Sequence, residues 1–100
     1  MTDKIEFKPI PLDHTFTAPI GVNVKGSMWS CVEMPGSADF FGTKKSVRVD
    51  IEVDKISLPN TGFMVTGTGG HMLSLNAKVR KQLGKDIGDT VTVHLLKRIK

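Results

Sequence analysis

Residues 46–53 alternate without a break. Val47, Val49, Ile51 and Val53 fall on one side, and Ser46, Arg48, Asp50 and Glu52 on the other. Successive side chains of a strand point to opposite faces, so only an extended strand with one buried face separates these two sets. The same period returns at residues 90–96, with Val91, Val93 and Leu95 inward and Thr90, Thr92 and His94 outward. Each strand follows a short helix-forming stretch that a glycine stops. Asn76 is an N-cap for Ala77–Leu83, where Val79 and Leu83 turn inward, Lys78, Arg80 and Lys81 stay exposed, and Gly84 takes the terminal left-handed position. Ser37 caps, and Gly42 ends, a shorter helix over Ser37–Phe41.

The remaining segments are short and divided by breakers. Residues 5–10 read as a first strand halted by Pro9 and Pro11, and residues 12–26 as a loop with an irregular strand at 20–25. Residues 27–34 read as one strand, with Met28, Ser30, Val32 and Met34 opposite Trp29, Cys31 and Glu33. Residues 55–58 either continue the preceding strand or begin another, and Pro59-Asn60-Thr61-Gly62 reads as a turn. Residues 63–66 resume a strand, Gly67-Thr68-Gly69-Gly70 interrupts it, and residues 71–75 form another. In that last strand His71, Leu73 and Leu75 lie opposite Met72 and Ser74. At 100 residues the chain is expected to form a single β-barrel domain over 1–100.

The two helix regions form a repeat. Val32-Glu33-Met34-Pro35 leads through a helix, Gly42 and lysines to the strand from Val47. Leu73-Ser74-Leu75-Asn76 leads through a helix, Gly84 and a charged turn to the strand from Val91, about forty residues on. Two such units facing each other would close a barrel and remove most exposed sheet edges. The second unit, with Arg80, Leu83, Gly84, Gly88, Asp89, Val91 and Val93, resembles the strand–helix–strand unit of AbrB/MazE-like transcription regulators, with Asn76 where that pattern has proline. A wider set of motifs resembles the bacterial family called domain of unknown function 1905. These are Trp29 with Val32 and Pro35; Gly42-Thr43-Lys44 with Val47 and Val49; Gly69-Gly70-His71-Met72-Leu73; and Val79-Arg80-Lys81 with Leu83-Gly84 and Gly88-Asp89-Thr90-Val91. The resemblance implies an all-β, single-chain double-split pseudo-β-barrel built from two strand–helix–strand halves. It assigns no biochemical activity.

Several function classes are set aside by composition. No apolar run approaches the roughly 18–20 residues that span a bilayer. Met1-Thr2-Asp3-Lys4 lacks the apolar stretch of a secretory signal, and the lone Cys31 has no internal disulfide partner; both point to a cytoplasmic setting. His14, His71, His94 and Cys31 lack the short spacings of zinc sites, so neither metal nor cofactor is expected.

The glycine-rich stretch is the leading candidate site. Its successive N–H groups would form an anion-binding nest, with His71 or Arg80 adding charge; the alternative is a bend at a barrel corner that only glycine tolerates. No Gly-Lys-Ser/Thr follows it, so it is not a phosphate loop. Gly69, Gly70, His71, Arg80 and Trp29 are therefore the expected ligand-binding residues, and Asp89 is the expected partner of Arg80 or a turn cap. The net charge of +4 gathers in part at Lys44, Lys45 and Arg48 and at Lys78 and Lys81, which would meet phosphates if the chain binds nucleic acid. No serine, cysteine or carboxylate stands at a diagnostic spacing from His71, so no catalytic triad is legible. The expected function is a non-catalytic binding module for a small anionic ligand or a protein partner, with nucleic acid as the alternative.

Overall fold

The computed structural model describes residues 10–66 and 69–99. The expected first strand at 5–10 lies outside the described residues, except for Ile10. In chain order the elements are β1 (Ile10–Pro19), β2 (Val22–Val24), β3 (Ser27–Trp29), β4 (Cys31–Met34), α1 (Ser37–Phe41), β5 (Val47–Val53), β6 (Ile56–Val65), β7 (His71–Ser74), α2 (Ala77–Leu83) and β8 (Thr90–Arg98). Six strands form one antiparallel sheet in the order β1-β8-β5-β6-β7-β4, curled into a half-barrel; β2 and β3 form a separate hairpin.

The alternation at β5 predicts its burial directly. Val47, Val49, Ile51 and Val53 are fully buried, while Arg48 is exposed. They pack with Val91, Val93 and Leu95 of β8, Phe63 of β6, Leu73 of β7 and Val32 and Met34 of β4. Each buried aliphatic side chain of this size contributes about 1.5–3 kcal/mol. Val79, on the inward face of α2, joins the same cluster. Asn76 caps α2 as expected, its Oδ1 accepting from the Val79 N–H at 2.9 Å, and Gly84 ends it with φ 70°.

The two repeated units pair reciprocally. β4 of the first unit pairs with β7 of the second, and β5 of the first with β8 of the second. The expected closed enclosure is nevertheless open. Among the described residues no ladder joins β1 to β4, although the two strands touch, and just past the end of β1 the Gly21 N–H donates to the Cys31 carbonyl at 2.8 Å.

Four local expectations are corrected. Residues 12–19, expected within a loop, belong to strand β1, which pairs with β8 alone; at a sheet edge a proline's missing N–H is tolerated, so Pro11 and Pro19 both fit in the ladder. The expected strand over 27–34 breaks at Ser30 into β3 and β4, which pair with different partners. The Pro59–Gly62 turn is instead a bulge within β6 opposite Asp50. Asn60 takes φ 51° there, and Arg48 holds it by Nε to Oδ1 at 2.6 Å and Nη2 to its carbonyl at 2.7 Å. Finally, Gly36 (φ 65°) and not Ser37 occupies the N-cap of α1, and Ser37 is buried.

The β5–β6 hairpin turns at Asp54 and Lys55, and Asp54 adopts φ 56°. Its Oδ1 accepts from the Thr92 N–H at 3.0 Å and its Oδ2 meets Lys85 Nζ at 2.9 Å. Burial works against this charge, but the Thr92 N–H and the Lys85 ammonium outweigh it and hold the carboxyl below the usual aspartate value. A lowered folded value means that the stabilisation is present above about pH 4 and is lost as pH falls through the folded value. Asp54→Asn keeps the acceptor and tolerates the left-handed backbone. It should stay within about 1 kcal/mol of the wild type at pH 7 and lose less stability than the wild type on going to pH 3. Asp54→Ala should cost about 1–3 kcal/mol at pH 7 in urea denaturation.

Candidate functional site

Beside the junction of the two sheet edges lies a groove of about 600 Å³. Thr17, Ala18 and Pro19 of β1 form one wall, and Glu33 and Met34 of β4 the other. Gly36, Ser37, Ala38 and Asp39 continue the second wall, and Lys44, Gly69 and Gly70 close one end.

One polar tie underlies this groove. His71 lies on the inward face of β7 and is fully buried. Its Nε2 lies 2.8 Å from the Lys45 carbonyl, which only accepts, so Nε2 carries the hydrogen and donates. Nδ1 is left to accept from the Ser37 hydroxyl at 2.8 Å. Phe41 stands edge-on to the imidazole, ring centroids 5.1 Å apart. The ring therefore connects β7 to the start of α1 and to the loop before β5. It is not itself among the residues that line the groove.

The glycine corner is described at Gly69 and Gly70. Gly69 N–H donates to the Thr66 carbonyl at 3.1 Å, and Gly70 N–H to Thr66 Oγ1 at 3.0 Å. Both donors are used within the turn; Gly67 and Thr68, the rest of the expected anion nest, lie outside the described residues. Gly70 contributes space instead. A Cβ there would stand 3.5 Å from Glu33 Oε2 and 3.6 Å from Ser37 Oγ.

The other expected ligand residues lie elsewhere. Arg80 donates from Nε to the Leu75 carbonyl at 3.1 Å and from Nη1 to Asp86 Oδ1 at 2.7 Å; Asp86 takes the place expected of Asp89. The Ile87 N–H and then Arg80 hold the Asp86 carboxyl below its ordinary value. Asp89 caps the turn by accepting the Asp86 N–H at 2.9 Å. Arg80 lines a shallow depression with Lys81 and Lys85. Trp29, 44% exposed, lines a third crevice where the β2–β3 hairpin faces Met64, Val65 and Met72. The five residues thus divide among separate surfaces.

The basic residues divide as well. Lys44 reaches the groove, its Cδ 3.6 Å from a Cβ at Gly69, and Arg48 is engaged by Asn60. Lys45 is exposed in the α1–β5 loop, and Lys78 and Lys81 are exposed on α2. Among the described residues no group of three or more His, Cys, Asp or Glu side chains is placed to hold a metal, and no helix is long and apolar enough to cross a membrane. Burial pushes the Cys31 thiol up, with a hydrogen bond from Ser74 partly opposing it.

Ser37, Glu33 and Asp39 are among the groove residues that sequence reasoning missed. Ser37 lies 34 positions from His71, so no spacing could join them. The available signal was a histidine at an inward strand position, since a buried polar ring requires partners.

A family model described as Domain of unknown function (DUF1905) matches residues 16–95, and the chain belongs to that family. No curated protein matches the chain.

Replacing the buried ring exposes its structural weight. His71→Ala leaves the Ser37 hydroxyl and the Lys45 carbonyl without partners and opens a cavity, so it should lower stability by about 2–4 kcal/mol. Arg80→Ala, which breaks an ion pair to the solvent-exposed Asp86, should cost clearly less than His71→Ala. Urea midpoints of the two variants check the ranking.

Proposed function

We propose that this DUF1905 member is a binding module, a single domain over residues 1–100 on a double-split-barrel plan, whose ligand lies in the groove between β1 and β4. The observation that carries the reading is the groove itself. At about 600 Å³ it has the size of a small-molecule site, and the missing Cβ of Gly70 leaves room beside Ser37 and Glu33. Reciprocal pairing of the two strand–helix–strand units supports the double-split plan.

The charges on the walls refine the ligand. Glu33 and Asp39 contribute two carboxylates against one ammonium at Lys44. A simple anion is poorly matched to that balance. The reading therefore favours a small ligand carrying charges of both signs, with its anionic group toward Lys44. This reading assigns binding alone. Nucleic acid remains the alternative, supported by Lys44, Lys45, Lys78 and Lys81, which make no ion pair among the described residues. A gel shift at low salt that weakens as salt rises supports that alternative, and no shift at low salt ends it.

Free amino acids at millimolar concentration are the probes for the groove. In amide NMR titrations the shifted signals should cluster at Ala18, Ala38, Gly69 and Gly70. Gly70→Val, which fills the space, should remove the response. Shifts confined to the Trp29 crevice, or an unchanged response in Gly70→Val, would sink the groove reading.

A further inference from the structure

Three features meet at Ser37, which is itself only 2% exposed. Its hydroxyl is bonded to an imidazole nitrogen at 2.8 Å, that imidazole is oriented by a carbonyl on its other nitrogen at 2.8 Å, and Ser37 lines an open groove. A nucleophile, an adjacent base and a third group orienting the base make up the arrangement that activates serine in covalent catalysis. Gly70 strengthens the assignment, because the space a Cβ would occupy lies 3.6 Å from Ser37 Oγ.

We propose that Ser37 is a nucleophile with His71 as its general base, and that the groove takes activated carboxylic esters and accepts their acyl group on Ser37. The inference rests on the groove being the ligand site, and it adds covalent chemistry to that reading. Ser37 Oγ attacks the ester carbonyl carbon while His71 Nδ1 takes the hydroxyl proton. The tetrahedral adduct collapses, the bond to the leaving oxygen breaks, and the departing alcohol receives that proton from Nδ1. The acyl group remains on Ser37 as an ester. Water, deprotonated in turn by Nδ1, then releases the carboxylic acid and restores the hydroxyl. Lys45, whose carbonyl holds Nε2, is a positioning residue. Glu33 and Asp39 on the wall favour esters that carry an ammonium group.

The test uses the intact protein with two probes, p-nitrophenyl acetate and the p-nitrophenyl ester of alanine, read by intact mass and peptide mapping. One acyl group should appear on Ser37, arriving with a stoichiometric burst of p-nitrophenol. Ser37→Ala should abolish that adduct, and His71→Gln should slow its formation by about 100-fold. His71→Gln risks unfolding, so Gly70→Ala gives a second measure. Its Cβ makes only ordinary van der Waals contacts, so the chain should keep its far-ultraviolet spectrum and melting point while Ser37 acylation falls at least about tenfold.

Labelling of surface lysines with none on Ser37 overturns the proposal, and so does equal Ser37 labelling in a folded Gly70→Ala variant. Acylation by both esters at the same rate upholds the nucleophile and removes the charge matching of the groove. Amino-acid binding in the groove without acylation by either ester leaves the binding reading standing and the nucleophile refuted.

Discussion

The imidazole of His71 is the interaction on which the arrangement of the two halves depends. It sits in the second strand–helix–strand unit and bonds to Ser37 and Lys45 of the first. A buried ring nitrogen left unpaired costs about 1–3 kcal/mol, so the ring holds its place only while α1 and the following loop keep theirs. The reciprocal pairing of β4 with β7 and of β5 with β8 aligns the units along the backbone. The side-chain tie then sets where α1 rests, and α1 forms one wall of the groove.

Regular periodicity makes most of the core readable in the sequence itself. Val47 to Val53 and Val91 to Leu95 are buried at every second position because one face of each strand meets the cluster around Phe63 and Leu73. Capping chemistry worked equally well at α2, where Asn76 and Gly84 act locally. Prolines misled for a reason specific to edges. Pro11 and Pro19 look like loop residues until β1 is known to have only one neighbour, β8. Pro59 to Gly62 misled similarly, since the same left-handed tolerance serves a turn or a bulge, and only the partner strand decides between them.

The site was far less legible, because it is assembled from distant segments. Gly69, Gly70 and Lys44 do meet, yet the glycine N–H groups are spent on Thr66 and what remains is room for a ligand. Arg80 and Trp29 are prominent in the sequence for reasons that stay local. Arg80 ties the end of α2 to the turn at Asp86, and Trp29 belongs to the crevice under the β2–β3 hairpin. Ser37 reads only as a helix cap until the fold brings it beside Gly70.

An open half-barrel leaves β1 as a ten-residue rim with one flank unclaimed by any described strand. Such a rim invites copies of the chain to stack side by side into fibrous polymers. Pro11 and Pro19 bracket it near both ends, and the left-handed Asp13 kinks it between them, so a neighbouring copy finds no long flat template to extend. The prolines that obscured this strand in the sequence are the ones that interrupt its free flank.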